Sequence, residues 1–456
     1  MFRQYLMPLC LTSGVATSCA AAMAQNNSAS QGVQPFASFV AELHSTPAAQ
    51  MAAMPFAVVQ DTGAAEEMRQ HLLKLYDGLS VGHSYELGGQ IVDCVPVLQQ
   101  PSVRLQHMAK IASPPPFTPP SKTGANTAPV SQGVDAFGNK QACEAGSIPM
   151  RRITLKEMSR FKTLHDYFSK GPNGAGQVRQ DSGGGTMPPA LSGLPHLYAH
   201  AYQGVNNYGG FTTLSLYSPF VNTNLGEGFA LSQQWYAGYN ADGTVQTAEV
   251  GIQNFPALYG SENSALFVYW TADDYQTTGC YNLSCPGFVQ IDNTWTLGGS
   301  FPNYSVDGGP QYEVTLGYYF WGGNWWMYID GTYDLGPGPI WLGYLPGSIY
   351  NGGQMSQYAQ VFDMGGEVFT ASTSYPPIYP PMGSGEYAFA GWPYAAYHSS
   401  IGYFDTAYNF QSGPSLTPYA NAPCYSIQLG VGGSGTYFFF GGPGNAGTAP
   451  NIVPTC

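Results

Sequence analysis

The sequence has few charged residues, and its second half lacks basic residues altogether. Charged residues make up 9% of the 456 positions, whereas an average domain has roughly a quarter. All 14 Lys and Arg lie at or before Arg179, so residues 201–456 carry 15 acidic residues and no basic one. Because phosphate binding needs clustered Lys and Arg, nucleic acid is excluded as a partner of this half.

The missing cations also predict a response to pH. Without Lys or Arg, and with His398 as its one histidine, the span 201–456 loses charge as the pH falls instead of building up positive self-repulsion. This pattern indicates a domain adapted to acid. A plainer interpretation is a secreted β protein of low charge.

Long apolar runs are absent outside the N-terminus, so we expect no membrane partner. Residues 1–24 have the form of an export signal. Arg3 provides the positive start, Tyr5–Ala16 is mostly apolar and too short to span a bilayer, and Ala22-Met23-Ala24 provides a cleavage site. The sequence therefore predicts a secreted protein, either periplasmic or extracellular.

Six cysteines remain after the signal, and none has the C-x-x-C spacing of a zinc site. An even number in an exported protein predicts three disulfides. The pairs that the spacing favours are Cys94 with Cys143, Cys280 with Cys285, and Cys424 with Cys456.

Helix signals occur only in the first half of the chain. Asp61 or Thr62 is placed to cap a helix that runs to about Asp77. Thr154-Leu-Lys-Glu157 is a capping box, and apolar residues at helical spacing follow it until Gly171. A proline-rich stretch, residues 113–120, separates the two and is predicted to be a loop.

The second half has the composition of a β protein, with Gly 58 and Pro 36 in the chain as a whole and 14% aromatic residues. Gly322-Gly323 predicts a hairpin turn. The strands predicted from alternation are Ala265–Trp270, Tyr312–Tyr319, Asn324–Ile329, Tyr425–Val431 and Thr436–Phe440. We therefore expect an antiparallel β-sandwich over 195–456, a smaller α+β domain over 25–170, and a Gly-rich linker over 171–194 between them.

The usual catalytic motifs are missing or misplaced. There is no G-x-S-x-G, no H-E-x-x-H and no Gly-rich phosphate loop. Asp61-Thr-Gly63 and Asp181-Ser-Gly183 resemble aspartic-peptidase loops, but the first opens a helix and the second lies in the linker. The Asp181 loop also resembles a serine-protease nucleophile loop, without a matching His context. His196 and His200 alternate as on a strand, which favours a structural role over a metal site.

Two glutamates of the second half have unusual surroundings. Glu249 alternates with apolar neighbours, and Glu367 follows Gly365 and Gly366, where other groups can approach the backbone closely. Periodicity alone does not bring these two residues together in space.

Several segments of the chain together form a recognisable pattern. In the second half they are His196–Tyr202, Phe229–Trp235, Glu249–Gly260, Val268–Gln290, Gln311–Leu316, Gly323–Trp326 and Gly365–Val368, and in the first half they are Ile91–Pro101 and Gly146–Arg152. Through these segments the chain from His196 onward resembles the neprosin family of glutamic peptidases, and the first half resembles the propeptide domain of that family. One position departs from the family's usual E-x-G-W, which reads Glu249-Val-Gly-Ile252 here.

The resemblance implies a β-sandwich endopeptidase that is made as a zymogen, is active in acid and cleaves next to proline. It also implies that Glu249 and Glu367 are the catalytic residues. Two adjacent carboxyl groups share one proton, so one can activate water while the other polarises the carbonyl and protonates the leaving amine, with no metal or cofactor. The candidate substrate-binding residues are Gln233 and Gln234, as neutral oxyanion donors, with Trp235 and Tyr269, as aromatic faces for proline.

Two other functions and one regulatory hypothesis remain open at this point. Paired carboxylates in an aromatic-rich sandwich also describe a glycoside hydrolase, and a non-catalytic carbohydrate- or surface-binding sandwich is the second alternative.

The basic span 151–162 predicts that the propeptide inhibits the acidic domain by charge attraction. This attraction would fade as the pH falls towards about 4, and the cut would follow within 171–195.

Overall fold

A computed structural model describes residues 33–117, 143–170, 195–331, 339–374, 376–432, 435–445 and 456. Gln34–Cys456 belong to one compact unit. The expected export signal over 1–24 and the Gly-rich linker over 171–194 lie outside the described residues. None of the helices within the described ranges has the length and apolar character needed to cross a membrane.

The N-terminal α+β region consists of residues 34–117 and 143–170. Its elements are α1 Phe36–Ser45, α2 Ala48–Ala52, α3 Thr62–Tyr76, β1 Ser84–Leu87, β2 Gln90–Pro96, α4 Pro101–Arg104, β3 Ser147–Arg151, α5 Leu155–Met158 and α6 Leu164–Phe168. The three strands form an antiparallel sheet in the order β1-β2-β3. Helix α3 begins as predicted, because the Asp61 carboxylate accepts a hydrogen bond from Ala64 N (2.8 Å).

The single helix predicted after Thr154 is wrong, since the chain forms two short helices there. The capping box of Thr154 and Glu157 is present and starts α5. The chain then leaves the helix, because the carbonyls of Ser159 and Lys162 accept hydrogen bonds from Val58 N and Gln60 N. A second cap at Thr163 starts α6.

Three disulfides join the cysteine pairs that the spacing favours. One lies in the N-terminal α+β region, one closes the small loop after β7, and one ties down the C-terminal residue. The pairs are Cys94–Cys143, Cys280–Cys285 and Cys424–Cys456.

The second half forms a 14-stranded antiparallel sheet. Its elements are β4 His196–Ser215, β5 Glu227–Tyr239, β6 Val245–Asn254, α7 Pro256–Tyr259, β7 Ala265–Thr271, β8 Val289–Gln290, β9 Glu313–Trp321, β10 Asn324–Gly331, β11 Ile340–Pro346, β12 Ala359–Thr370, β13 Ala396–Asp405, β14 Phe410–Ser412, β15 Thr417–Ala420, β16 Ser426–Gly432 and β17 Gly435–Gly441. The main path runs β7-β6-β5-β12-β4-β9-β10-β11-β8. All five predicted strands are present, and Gly322 and Gly323 have the positive φ (59° and 77°) of a hairpin turn.

The sheet folds back on itself as a sandwich. Strand β4 is long enough to pair with β12 along its first part and with β9 along its last part. The core lies between the two layers, where Tyr236 of β5 contacts Tyr318 of β9 edge to face, with ring centroids 5.8 Å apart. The opposite face of β5 carries Gln233 and Trp235, because side chains alternate along a strand.

The N-terminal α+β region packs against the loops around β8. The side chain of Gln100 donates to the Gln290 carbonyl and accepts from Gln290 N, both at 2.8 Å. Ser102 donates to the Phe288 carbonyl at 2.6 Å and accepts from Gly287 N at 2.9 Å. These buried hydrogen bonds anchor the region to β8, the last strand of the main path.

Candidate active site

The site lies on one face of three neighbouring strands, β12, β5 and β6. In the register of these strands, Glu367 is opposite Leu231 and Glu249 is opposite Trp235. Leu231 and Trp235 are four residues apart on β5, so both glutamates point to the same face. Their carboxylates therefore converge from the two sides of β5, in front of Gln233.

A lysine from the N-terminal α+β region bridges the two carboxylates. Lys170 Nζ donates to Glu249 Oε2 at 2.8 Å and to Glu367 Oε2 at 2.9 Å, and it is 3.3 Å from Gln233 Oε1. The side chains of Lys170, Glu249 and Glu367 are at most 2% exposed. The two carboxylate oxygens are thus within two hydrogen-bond lengths of each other, and one cation fills the space between them.

Glu249 is held by neutral donors in addition to the lysine. Its Oε1 accepts from Tyr275 OH at 2.6 Å and from Thr247 Oγ1 at 2.8 Å, and its Oε2 accepts from Gln233 Nε2 at 2.9 Å. Burial and the adjacent Glu249 charge raise the pKa of Tyr275 well above its ordinary value, so this phenol stays protonated and remains a donor. These contacts keep the Glu249 carboxylate in one orientation.

Glu367 has a different set of partners. Its Oε1 lies 2.7 Å from His196 Nδ1 and 3.3 Å from Tyr198 OH. Burial alone would raise the pKa of Glu367, but the charge of Lys170 and the hydrogen bond from His196 outweigh it and lower the pKa from 4.5 to about 2. Burial by itself would lower the pKa of Lys170, but the charges of the two glutamates outweigh the effect of burial and raise this pKa. Lys170 and Glu367 therefore both carry their charge at neutral pH.

Most of the predicted substrate-binding residues surround the position of Lys170 Nζ. This atom is 5.5 Å from the Trp235 ring centroid and 5.9 Å from that of Tyr269, within range of cation–π attraction. Gln233 contacts both Lys170 and Glu249. The amide, the two rings and the two glutamates thus line one site.

Gln234 does not line this site, and its prediction is corrected. As the neighbour of Gln233 on a strand it points to the opposite face, into the core. There its amide donates to the Leu316 carbonyl at 2.6 Å and accepts from Tyr236 OH at 2.5 Å.

The glycines before Glu367 allow the close approach that the sequence indicates. Gly365 has φ +147°, and a Cβ there would lie 2.5 Å from the Ala199 carbonyl oxygen. A Cβ on Gly366 would lie 2.5 Å from the sulfur of Met382.

Ile252, where the family motif departs, belongs to the opposite face of β6 from Glu249 and is opposite Ser232. The departure therefore changes the core and not the face that carries the glutamates.

The two strand histidines contact separate carboxylates. His196 contacts Glu367, and His200 Nδ1 lies 2.7 Å and 2.9 Å from the two oxygens of Asp363. Within the part of the chain that the structure describes, no group of three or more His, Cys, Asp or Glu side chains is arranged to hold a metal ion.

Sequence reasoning did not predict five residues that contact the two glutamates. They are Lys170, Thr247, Tyr275, His196 and Tyr198. A signal existed for Thr247, because it precedes Glu249 by two residues on the same strand and so shares its face. The others come from distant positions, and periodicity does not relate them to either glutamate.

Two solved structures are similar at low identity: scytalido-glutamic peptidase with a peptide-based transition-state analogue, and SCP-B, a member of the eqolisin family of peptidases, in complex with a tripeptide. The first has 9% identity and a TM-score of 0.31, and the match covers 54% of this chain and 97% of that one. The second has 8% identity and a TM-score of 0.30, with 53% and 96% covered.

The family model that matches this chain is more specific. The Neprosin model covers residues 226–443, which include β5, β6 and β12 and therefore both converging glutamates. Residues 226–443 of this chain form a domain of the Neprosin family.

Proposed function

We propose that the protein is a secreted, acid-active glutamic endopeptidase made as a zymogen, which hydrolyses peptide bonds next to proline through Glu249 and Glu367. The Neprosin-family domain supports a peptidase. The observation that carries the mechanism is the convergence of both carboxylates on one atom, Lys170 Nζ.

The position of the Lys170 ammonium is suited to a catalytic water. Nζ is similar in size to a water oxygen, and a water there would donate hydrogen bonds to both glutamates once the lysine leaves. Without the cation, two carboxylates so close together share one proton. The ionised glutamate takes a proton as the water attacks the peptide carbonyl, and the protonated one polarises that carbonyl and then protonates the leaving amine.

Gln233 and the two aromatic rings are proposed to bind the substrate. The Gln233 amide is neutral and lies beside the water position, so it is suited to stabilise the oxyanion of the tetrahedral intermediate. Trp235 and Tyr269 flank the same position and offer flat apolar faces to a proline ring. A proline ring loses little conformational entropy on binding.

The zymogen proposal rests on Lys170 as a plug. Lys170 is the last described residue before the linker, and its ammonium occupies the space that substrate and water would need. Residues 201–456 are acidic, but the described N-terminal α+β region carries ten basic and ten acidic residues, so it has no overall charge to attract them. The proposed propeptide is therefore held by the specific ion bridge of Lys170.

The test of this function is a map of cleavage sites. Processed protein incubated at pH 3–4 with a mixture of proline-containing peptides is expected to produce cuts concentrated next to proline, identified by mass spectrometry. Cuts spread evenly over all residue types would contradict the proline preference, while the proposal of a peptidase would still stand. Absence of any cleavage, with cleavage of an oligosaccharide instead, would replace the peptidase by a glycoside hydrolase.

A second prediction concerns inhibitors. Serine- and cysteine-directed reagents and EDTA are expected to leave the rate of hydrolysis unchanged, because the proposed reacting groups are two carboxylates and a water. Initial rates with and without each reagent at the same acid pH are the measurement. Loss of activity with EDTA, restored by added metal, would contradict the mechanism and make His196 and His200 the first residues to examine.

A further inference from the structure

Five aromatic side chains form a continuous surface on the layer of the sandwich that does not carry the glutamates. We call this surface the aromatic face. It consists of Tyr319 and Trp321 on β9, Trp326 on β10, and Trp341 and Tyr344 on β11. Their rings are in mutual contact, with centroids 4.6 Å apart for Trp326 and Tyr344 and 6.1 Å apart for Tyr319 and Trp341.

The aromatic face points away from the core and away from the glutamates. Trp325, which precedes Trp326 on β10, packs into the core against Tyr236 of β5. Trp326 therefore points outward, since neighbours on a strand alternate. On β5 the residue before Tyr236 is Trp235, which faces Glu249. The aromatic face and the glutamates thus lie on the two outer faces of the sandwich.

In the full chain part of the N-terminal α+β region, within residues 103–117, packs over the aromatic face, and this part ends in the beginning of the proline-rich stretch. Tyr344 OH accepts from Ala112 N at 3.0 Å, and Trp341 Nε1 donates to the Phe117 carbonyl at 3.0 Å. The Phe117 ring meets Tyr319, Trp321 and Trp341 edge to face, with centroids 5.3–6.1 Å apart. Between these two anchors, Pro115 is buried.

A surface of aromatic rings with an indole donor has the chemistry by which proteins recognise proline-rich segments. Consecutive prolines favour an extended polyproline conformation that is stiff before binding, and proline has no N–H to satisfy its neighbours' carbonyls. Aromatic-lined grooves bind such segments by ring packing. An indole N–H, such as that of Trp341, can then donate to a free carbonyl of the bound segment.

We propose that the aromatic face is a second binding site for the proline-rich parts of polypeptide substrates, freed when the propeptide leaves. This inference rests on the proposed function, because it requires removal of residues 111–117 with the propeptide. Trp326 and Tyr344 are at most 1% exposed in the full chain, and the N-terminal α+β region provides part of their cover, so its removal exposes apolar surface of these rings. A contiguous exposed apolar patch on a soluble protein generally marks an interaction site. A substrate held there by one segment is cut elsewhere along its length at the glutamates.

Direct binding tests the site without hydrolysis. The probe is a ten-residue peptide with the sequence of residues 111–120, and its control has alanine in place of every proline. With processed protein at pH 7, we expect calorimetry to detect binding of the proline peptide and binding at least about 10-fold weaker for the alanine peptide. Trp341→Ala is expected to weaken binding by at least about 10-fold. Trp341→Phe keeps an aromatic ring that preserves the packing and removes only the indole donor. It is therefore expected to weaken binding of the proline peptide less than Trp341→Ala does.

Trp392→Ala is the matched control, because Trp392 is 66% exposed and lies outside the aromatic face. It is expected to bind the proline peptide as the unaltered protein does. Equal binding of the proline and alanine peptides, or unchanged binding by both Trp341 variants, would overturn the proposal. Binding of maltoheptaose that depends on Trp341, without binding of the proline peptide, would overturn it in favour of a carbohydrate site.

Hydrolysis separates this inference from the proposed function. A peptide of eight residues, which spans at most about 28 Å when fully extended, serves as the short substrate. We expect Trp341→Ala to raise KM severalfold for a long proline-rich polypeptide and to leave kcat/KM for the octapeptide unchanged. If the unaltered protein cleaves neither substrate, the proposed function fails. The binding experiment then still tests whether the aromatic face binds a proline-rich peptide. If it cleaves both and Trp341→Ala changes neither KM, the inference is overturned.

Discussion

Replacement of Glu249 or Glu367 by Gln in the processed protein is expected to lower peptide hydrolysis at acid pH by at least about 10³-fold. Gln has the size of Glu but does not titrate, so it can neither accept a proton from water nor return one to the leaving amine. General acid–base groups contribute about 10²–10⁴-fold each, and here one shared proton serves both steps. We therefore expect either single variant to be nearly as inactive as the double variant.

Processing and folding need separate controls in this experiment. A variant that is unable to process itself is to be cut within the linker by added enzyme, and its fold checked by circular dichroism. Glu262→Gln is the matched control, since Glu262 is an exposed carboxylate of the same domain, and it is expected to keep full activity. Near-normal hydrolysis by folded and processed Glu249→Gln or Glu367→Gln would rule out the two-glutamate mechanism.

If Lys170 plugs the site as proposed, Lys170→Met is expected to raise the pH at which the proposed zymogen is processed by at least about one unit. The pKa of Glu367 is about 2 while Lys170 is docked, against an ordinary value of 4.5. A lowered pKa in the docked state stabilises docking fully above pH 4.5, and this stabilisation is lost as the pH falls towards about 2. Lowering the pKa by one corresponds to about 1.4 kcal/mol of added docking free energy. Acid therefore loosens the bridge progressively within this window.

Met retains the apolar stem of Lys170 but brings no charge to the two carboxylates. Docking then loses the ion bridge at every pH, and release no longer waits for acid to protonate Glu367. The measurement is N-terminal sequencing of the full chain after incubation at intervals from pH 3 to pH 7. The midpoint is the pH at which half of the chain is processed. Lys162→Gln removes an exposed cation of the same region and is expected to shift this midpoint much less. Identical midpoints for Lys170→Met and the unaltered chain, or a cut far outside 171–195, would contradict the plug.

The class of the fold and several of its local elements follow from the sequence alone. Asp61 determines the start of α3 because its carboxylate satisfies a free N–H of the first turn. Gly322 and Gly323 determine the β9–β10 hairpin because both adopt positive φ. In each case the residues that act are near neighbours in the chain. The two glutamates could be singled out in the same local way, although only the family resemblance joined them as a pair.

Tertiary structure alone decided what surrounds the glutamates. Lys170 is 79 residues from Glu249 and 197 from Glu367 in sequence, so no periodicity relates them. Alternation predicts that Gln233 and Gln234 point to opposite faces of β5. Both faces of this strand are buried, however, so hydrophobic pattern cannot say which one meets the glutamates.

The aromatic residues of β9–β11 illustrate the same limit. Their alternation marks strands, but Trp325 and Trp326 are equally apolar and both are completely buried. One is covered by the opposite layer of the sandwich and the other by the N-terminal α+β region. Sequence determined that these side chains avoid water. Only the packing of a distant segment over them decided which ones belong to the permanent core and which face a cover that the proposed activation removes.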